Sequence, residues 1–200
     1  MANFITIFRI FLVFIAAYLL FDKSFAGCMW ALLLTIIAFS LDGVDGWVAR
    51  KLNETSKLGA VLDIMSDRIV ENTYWIVFAV LGWLPVVFPL FAITRSFVVD
   101  SLRSVAMEQG FTAFGETSMQ SDKIGYMICC SKFSRVAYAV AKVLAFILII
   151  FAKIPGLDHD ISVFLFAIAY MLAIVALMFC LVRGLPVIFE SKRLFKNEKV

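Results

Sequence analysis

Four aspartates lie within 26 residues of this sequence, in two pairs whose spacing suits an α-helix. Asp42 and Asp45 are three residues apart, and Asp63 and Asp67 are four residues apart. Because steps of three or four residues return to the same helix face, each pair predicts two carboxylates on one face. Only the short polar segment 51–57 separates the two predicted helices that carry these pairs. We therefore expect two antiparallel neighbouring helices with all four carboxylates converging on one point.

These carboxylates predict a metal site that handles phosphate. Gathered in a low-dielectric place, they repel one another and lose hydration unless a cation compensates them. Ligands that are all oxygen favour Mg²⁺ or Mn²⁺, and two such ions about 3.5–4 Å apart could clamp a phosphorus centre and its leaving oxygen. An intramembrane aspartate can instead pair with a nearby arginine, here Arg50 or Arg68, or couple ion transport.

The composition of the chain indicates a membrane protein. Of the 200 residues 63% are hydrophobic, 21 are phenylalanine and the mean hydropathy is +0.98, which excludes an ordinary soluble domain. We expect an all-α integral membrane protein, one domain over residues 1–200, with no nucleic acid as a partner. About 20 apolar residues cross a bilayer. Six transmembrane helices are predicted at residues 4–21, 29–49, 58–81, 86–106, 126–151 and 161–182. No small-residue cleavage site precedes Asp22, so we expect the first helix to be retained.

Basic residues predict the orientation. With the N-terminus inside, the outer loops carry only Lys23 and Lys153. The inner segments and their flanks carry Arg50, Lys51, Lys57, Arg103, Lys123, Lys132, Arg135, Arg183, Lys192, Arg193, Lys196 and Lys199. The positive-inside rule then places both termini in the cytoplasm. We expect a bacterial inner (cytoplasmic) membrane, with the aspartates facing the cytoplasm and the basic tail on lipid headgroups.

The aspartates belong to a longer pattern that resembles a known signature. Asp42-x-x-Asp45-Gly46-x-x-Ala49-Arg50, eight further residues and Gly59-x-x-x-Asp63-x-x-x-Asp67 match the signature of the CDP-alcohol phosphatidyltransferase family at every position. The resemblance implies a six-helix membrane fold with this signature at residues 42–67. It also implies transfer of a phosphatidyl group from CDP-diacylglycerol to an alcohol with release of CMP, two Mg²⁺ or Mn²⁺ ions, and a homodimer.

The resemblance also implies a role for each matched position. Asp42, Asp45 and Asp63 are similar to metal ligands, and Asp67 to a ligand that also acts as general base. Gly46, Ala49 and Gly59 are similar to the surface on which the cytidine nucleotide lies, with Arg50 near its phosphates. The start "NFITIFR" is similar to the Asn-x-x-Thr-x-x-Arg start of the first helix in several members. Asn3, Thr6 and Arg9 would then close the site, although Arg9 could instead be a snorkelling cation.

Basic residues beyond the signature bear on the acceptor. They lie on the predicted fourth and fifth helices and include Arg95, Arg103, Lys132 and Arg135. A second anion-binding pocket would suit an acceptor that carries phosphate, whereas the alternative is positive-inside charge with local pairs such as Asp100 with Arg103.

The segment 93–110 resembles the fourth helix of phosphatidylglycerophosphate synthases, which implies sn-glycerol 3-phosphate as acceptor. The match departs at Ser96, where those proteins carry an acidic residue, and at 131–135, where they carry Gly-Lys-x-Lys-Thr. The stretch "DRIVENTYW" from Asp67 is similar to members that use inositol phosphate. More distant alternatives are a membrane prenyltransferase and a transporter.

Overall fold

The computed structural model describes residues 2–51, 57–109, 127–128 and 131–192, without the side chains of 2, 44–51, 57–58, 60 and 132. Six helices make up nearly all of these residues, and no strand occurs among them. They are α1 Ala2–Phe21, α2 Phe25–Lys51, α3 Lys57–Val80, α4 Val87–Glu108, α5 Lys132–Ala152 and α6 His159–Ser191.

Four of these helices contain stretches long and apolar enough to cross a membrane: Asn3–Phe21, Phe25–Gly43, Phe133–Ala152 and His159–Ser191. A helix satisfies its own backbone hydrogen bonds, which is what a lipid environment demands. The prediction of an all-α integral membrane protein is confirmed. Charged residues interrupt the apolar character of α3 and α4, so the six crossings and the orientation stay predictions.

Three helix boundaries differ from the predicted ones by four residues or more. α5 begins at Lys132 rather than 126, and the Ser131 hydroxyl accepts a hydrogen bond from the Ser134 N–H at 3.2 Å at its start. α2 begins at Phe25 rather than 29, because the Ser24 hydroxyl accepts a hydrogen bond from the Gly27 N–H at 2.9 Å and caps the first turn. α6 continues to Ser191 instead of ending at 182, and Pro186 lies inside it. A proline removes one helical hydrogen bond, yet the helical backbone extends through it.

The chain divides into two compact units, residues 1–86 with 143–171 and residues 87–142 with 172–200. In the first unit α1 packs against both α2 and α3. Its core contains an aromatic cluster around Phe146 of α5, whose ring centroid lies 4.7 Å from that of Trp75, 5.2 Å from Tyr74 and 5.5 Å from Phe78. The Tyr74 and Thr35 hydroxyls are hydrogen-bonded at 2.7 Å and join α3 to α2.

The second unit contains α4, the first part of α5 and the last part of α6. Its buried residues include several polar ones, among them Arg95 and Ser96 of α4, Ser134 of α5 and Arg183 of α6. Polar groups are costly to bury without partners. The interior of this unit therefore contains polar and charged side chains that need partners.

Candidate functional site

Three of the four aspartates meet in the first unit. Carboxylate oxygens of Asp42, Asp63 and Asp67 all lie within 4.8 Å of one another. Asp42 follows Thr35 by seven residues on α2, and Asp67 precedes Tyr74 by seven on α3. With the Thr35–Tyr74 hydrogen bond, this register makes the two helices antiparallel. At 1.5 Å per residue, the hydroxyl pair lies about 10 Å along the helices from the carboxylates.

Arg9 of α1 is the cation that meets this carboxylate cluster. Its Nη1 forms an ion pair with Asp42 Oδ1, and its Nη2 lies 2.9 Å from Asp67 Oδ1. Nη2 also donates to the Ser66 hydroxyl at 2.6 Å, and that hydroxyl donates to the Asp63 carbonyl at 2.9 Å. Arg9 therefore links α1, α2 and α3, and it is not a snorkelling side chain.

Exposure within the cluster is uneven. The Arg9 side chain is only 2% exposed, whereas the Asp42 and Asp67 side chains are 44% and 48% exposed. The guanidinium thus lies under the carboxylates, and the carboxylates face outward. A ligand can approach these oxygens from the side opposite Arg9.

The remaining predicted residues of this site are described to different degrees. Thr6 is buried one turn before Arg9 on α1, and Asn3 is half-buried one turn earlier. Gly59 is half-buried near the start of α3. The side chains of Asp45, Gly46, Ala49 and Arg50 lie outside the described residues, although all four positions are in α2.

Arg68 forms a local ion pair along α3. Its Nη1 lies 3.4 Å from Glu71 Oε2, one turn along α3. Glu71 is almost fully buried. This i,i+3 pair is the local arrangement that its spacing favours.

A second basic site lies within the second unit and is built around Arg95 of α4. Arg95 is 7% exposed, and its Nε and Nη1 have no hydrogen-bond partner among the described residues. Its side chain lies against Gly184 of α6, where a Cβ would come within 3.2 Å of Arg95 Cγ and Nε. Because α6 has no side chain at this position, the two helices can approach closely around the guanidinium.

Of the other predicted basic residues, those whose side chains are described are less buried than Arg95. Arg103 and Arg135 are half-buried on α4 and α5, and the side chain of Lys132 lies outside the described residues. Arg183, next to Gly184, is 8% exposed and lies over the Tyr138 ring at 5.4 Å. The sequence pattern assigned Arg183 only to the positive-inside set. Its burial was missed because apolar residues surround it on every side of α6.

Comparison with known proteins extends these observations. The family model described as CDP-alcohol phosphatidyltransferase matches residues 1–182. A protein of Mycobacterium tuberculosis (strain H37Rv) named "Putative cardiolipin synthase" is 28% identical over 127 residues, 63% of this chain and 60% of that protein. CDP-diacylglycerol–glycerol-3-phosphate 3-phosphatidyltransferase of Bacillus subtilis (strain 168) is 35% identical over 78 residues, 39% of this chain and 40% of that protein.

A shorter match involves a plant protein. CDP-diacylglycerol–inositol 3-phosphatidyltransferase 1 of Arabidopsis thaliana is 53% identical over 36 residues, 18% of this chain and 16% of that protein. The chain spans at most about 60% of the length of these curated relatives. The names of the three relatives differ in the product or acceptor they state.

Proposed function

This chain belongs to the CDP-alcohol phosphatidyltransferase family, and from this premise we propose that it transfers the phosphatidyl group of CDP-diacylglycerol to an alcohol, releasing CMP. The observation that carries the proposal is the meeting of three signature aspartates from two helices, with oxygens within 4.8 Å of one another. Two helices that served only to support the fold would not need three carboxylates so close together. The reaction would serve phospholipid biosynthesis.

The donor set suits the divalent cations that the family implies. Asp42, Asp63 and Asp67 offer only oxygen, the ligand type of Mg²⁺ and Mn²⁺, and we add Asp45 from the signature. Opposite ligands of a Mg²⁺ ion are about 4.2 Å apart, since each bond is about 2.1 Å. The 4.8 Å limit is close to that span. Bound ions, two by our proposal, would neutralise diphosphate charge.

Asp67 is our candidate for the general base. Arg9 contacts its Oδ1, so we assign the proton of the acceptor hydroxyl to Oδ2. The acceptor oxygen forms a bond to the lipid-side phosphorus as the bond from that phosphorus to the CMP oxygen breaks. CMP leaves with the electron pair of that bond. A carboxylate is a weak base, so positioning supplies most of the rate.

The nucleotide would lie on the small residues of the signature. We assign Gly46, Ala49 and Gly59 to this surface and Arg50 to the phosphates. Asn3 and Thr6 join them on the family resemblance, and Thr6 lies one turn before Arg9 on α1. Positions without bulky side chains let a nucleotide approach the backbone.

The acceptor that we propose is sn-glycerol 3-phosphate. Its phosphate would be bound in the second unit by Arg95, whose buried Nε and Nη1 have no protein partner among the described residues. The other residues assigned to this pocket are Arg103, Lys132, Arg135 and, from its burial, Arg183. The name of the Bacillus relative supports the same acceptor. The alternative is an inositol phosphate or another alcohol, and the Arabidopsis name states inositol itself as the acceptor.

Membrane placement completes the proposal. We infer six crossings with both termini in the cytoplasm, a bacterial inner membrane, an active site on the cytoplasmic side and assembly as a homodimer. The basic residues concentrated in the inner segments support this orientation. Family resemblance is the support for the dimer.

The experiment is a CMP-release assay on purified protein with CDP-diacylglycerol and Mg²⁺ or Mn²⁺. The acceptors are glycerol 3-phosphate, inositol phosphate, inositol, serine and phosphatidylglycerol, with Asp67→Asn as the inactive control. We expect metal-dependent CMP release with glycerol 3-phosphate, and a rate roughly 10³-fold lower in the folded variant. A reaction with only unphosphorylated alcohols would refute the arginine pocket. Absence of CMP release with every acceptor would refute the donor chemistry, leaving a prenyltransferase or transporter.

A further inference from the structure

Arg9 has the geometry of a built-in competitor for the metal ligands. We propose that its guanidinium is the counter-ion of Asp42 and Asp67 in the metal-free protein, and that it weakens divalent metal binding by holding their oxygens. This inference rests on the metal site of the proposed function. It adds a residue that sets metal affinity without being a ligand.

The contacts of Arg9 support this role. Both terminal nitrogens face carboxylates from different helices, Asp42 on α2 and Asp67 on α3. The Ser66 hydroxyl, 2.6 Å from Nη2, fixes the orientation of the guanidinium. The residue is 1% exposed, and its guanidinium is a cation with donors in a fixed planar arrangement. A buried cation in this position cannot withdraw to solvent.

The cost of adding metal follows from charge and geometry. A divalent ion bound to these oxygens would lie within a few ångströms of the guanidinium, and like charges at that separation repel strongly inside a protein. The Oδ1 atoms would also have to share or exchange their bonds to Nη1 and Nη2. Both effects raise the metal dissociation constant.

The same contacts have a structural benefit. Without metal, three carboxylates within 4.8 Å would repel one another and push α2 away from α3. Arg9 compensates part of that charge from α1. The three helices thus stay assembled while metal exchanges, and the site need not bind metal tightly in order to fold.

The opposite role is an organiser that holds the carboxylates ready for metal. It uses the same contacts but predicts the opposite change on removing the charge, since a disordered carboxylate cluster would bind metal more weakly. Whether metal affinity rises or falls when the Arg9 charge is removed therefore distinguishes a competitor from an organiser.

The test compares wild type, Arg9→Met and Arg68→Met as full-length proteins in detergent, stripped of metal with a chelator. Mn²⁺ affinity is measured by the electron paramagnetic resonance signal of free Mn²⁺, and stability by the melting temperature with and without Mn²⁺. Arg68→Met is the matched control because it removes the same charge one residue from Asp67, from a guanidinium that contacts Glu71.

We expect Arg9→Met to bind Mn²⁺ with a dissociation constant about tenfold lower than wild type. Its metal-free melting temperature should fall, and Mn²⁺ should raise it by more than in wild type. Arg68→Met should stay within about twofold of the wild-type affinity. If Arg9→Met unfolds without metal, Arg9→Lys is used in its place. We expect its Mn²⁺ dissociation constant to be about threefold lower than that of wild type, because an ammonium cannot hold two carboxylates with the paired donors of a guanidinium.

An unchanged or higher dissociation constant in the Arg9 variant, with wild type binding Mn²⁺, would overturn the inference and leave the proposed function standing. Equal tightening in Arg68→Met would overturn it as well, since the effect would then be general electrostatics. Failure of all the proteins to bind Mn²⁺ would refute the metal site itself, and the inference with it.

Discussion

At the scale of single residues, Arg95 is a buried cation whose Nε and Nη1 lack partners among the described residues. A buried N–H without a partner costs roughly 1–3 kcal/mol, and Arg95 presents two such groups. Native proteins seldom leave that cost uncompensated. A bound phosphate that accepts from one of these donors would offset part of that cost, which is why Arg95 is at the centre of the proposed acceptor pocket.

Gly184 provides a test of that pocket from the opposite helix. A Cβ there would lie 3.2 Å from Arg95 Cγ and Nε and 3.3 Å from Val99 Cγ2. Gly184→Ala should shift Arg95 slightly, and Gly184→Leu should displace it. We expect the KM for glycerol 3-phosphate to rise about threefold and at least about tenfold respectively, with the KM for CDP-diacylglycerol within about twofold. Steady-state kinetics with each substrate varied in turn provides the measurement.

Gly43→Ala is the control for a glycine-to-alanine change in a helix, because a Cβ at this position would meet no described atom within 4 Å. It should leave the acceptor KM unaltered. If folded Gly184→Leu kept the wild-type acceptor KM, Arg95 would have no part in acceptor binding.

The residues that the sequence could identify are those related by short helical spacing. Asp63 and Asp67 are four apart, and helix geometry alone places them on one face. The partners of Arg9 are 33 and 58 positions away, and no local periodicity encodes such a pairing. Arg183 was hidden for a different reason: its burial arises from tertiary packing, in which its guanidinium lies over the Tyr138 ring of α5.

At the scale of helices, apolar length predicts that a helix exists more reliably than where it ends. About 20 residues suffice to cross a bilayer, and this length predicts an end of α6 near 182. The helix extends to Ser191, since Val187, which is 2% exposed, still has a protein surface to pack against. The start of α2 depends on the Ser24 cap, a hydrogen bond that hydropathy does not detect.

Phe146 offers a test of what holds α2, α3 and α5 together in the first unit. Its ring is fully buried and contacts Phe39, Tyr74, Trp75 and Phe78. Phe146→Ala would leave a cavity worth about 3–5 kcal/mol, and we expect the melting temperature in detergent to fall by roughly 10 °C. Thermal unfolding followed by size-exclusion recovery measures the change.

The matched control is Phe164→Ala on α6 in the same unit, where the ring is 66% exposed. Removing an exposed ring creates no cavity, so the melting temperature should change by less than about 2 °C. Similar decreases in the two variants would mean that the aromatic cluster is not the main source of cohesion in this unit.

At the scale of the whole molecule, the charges that we assign to the proposed sites also make the membrane topology harder to read from hydropathy. α3 carries Asp63, Asp67, Arg68 and Glu71, and α4 carries Arg95, Asp100 and Arg103. These residues explain why, in the described part of the chain, the other four helices alone qualify as crossings by length and composition. Charges inside a membrane are rare and usually functional, so crossing by α3 and α4 stays a prediction.

The loop between α3 and α4 separates a six-crossing from a four-crossing topology. If α3 and α4 both cross, Pro85 lies outside, as does Pro155 between α5 and α6; if neither crosses, Pro85 stays in the cytoplasm while Pro155 remains outside. Single cysteines at Pro85, Pro155 and Lys192, all exposed positions, in a cysteine-free background can be labelled in spheroplasts with an impermeant maleimide. We expect Pro85→Cys and Pro155→Cys to react in intact spheroplasts and Lys192→Cys to react only after permeabilisation. Labelling of Pro155→Cys without Pro85→Cys would establish four crossings, and labelling of Lys192→Cys in intact spheroplasts would reverse the predicted orientation of the C-terminus.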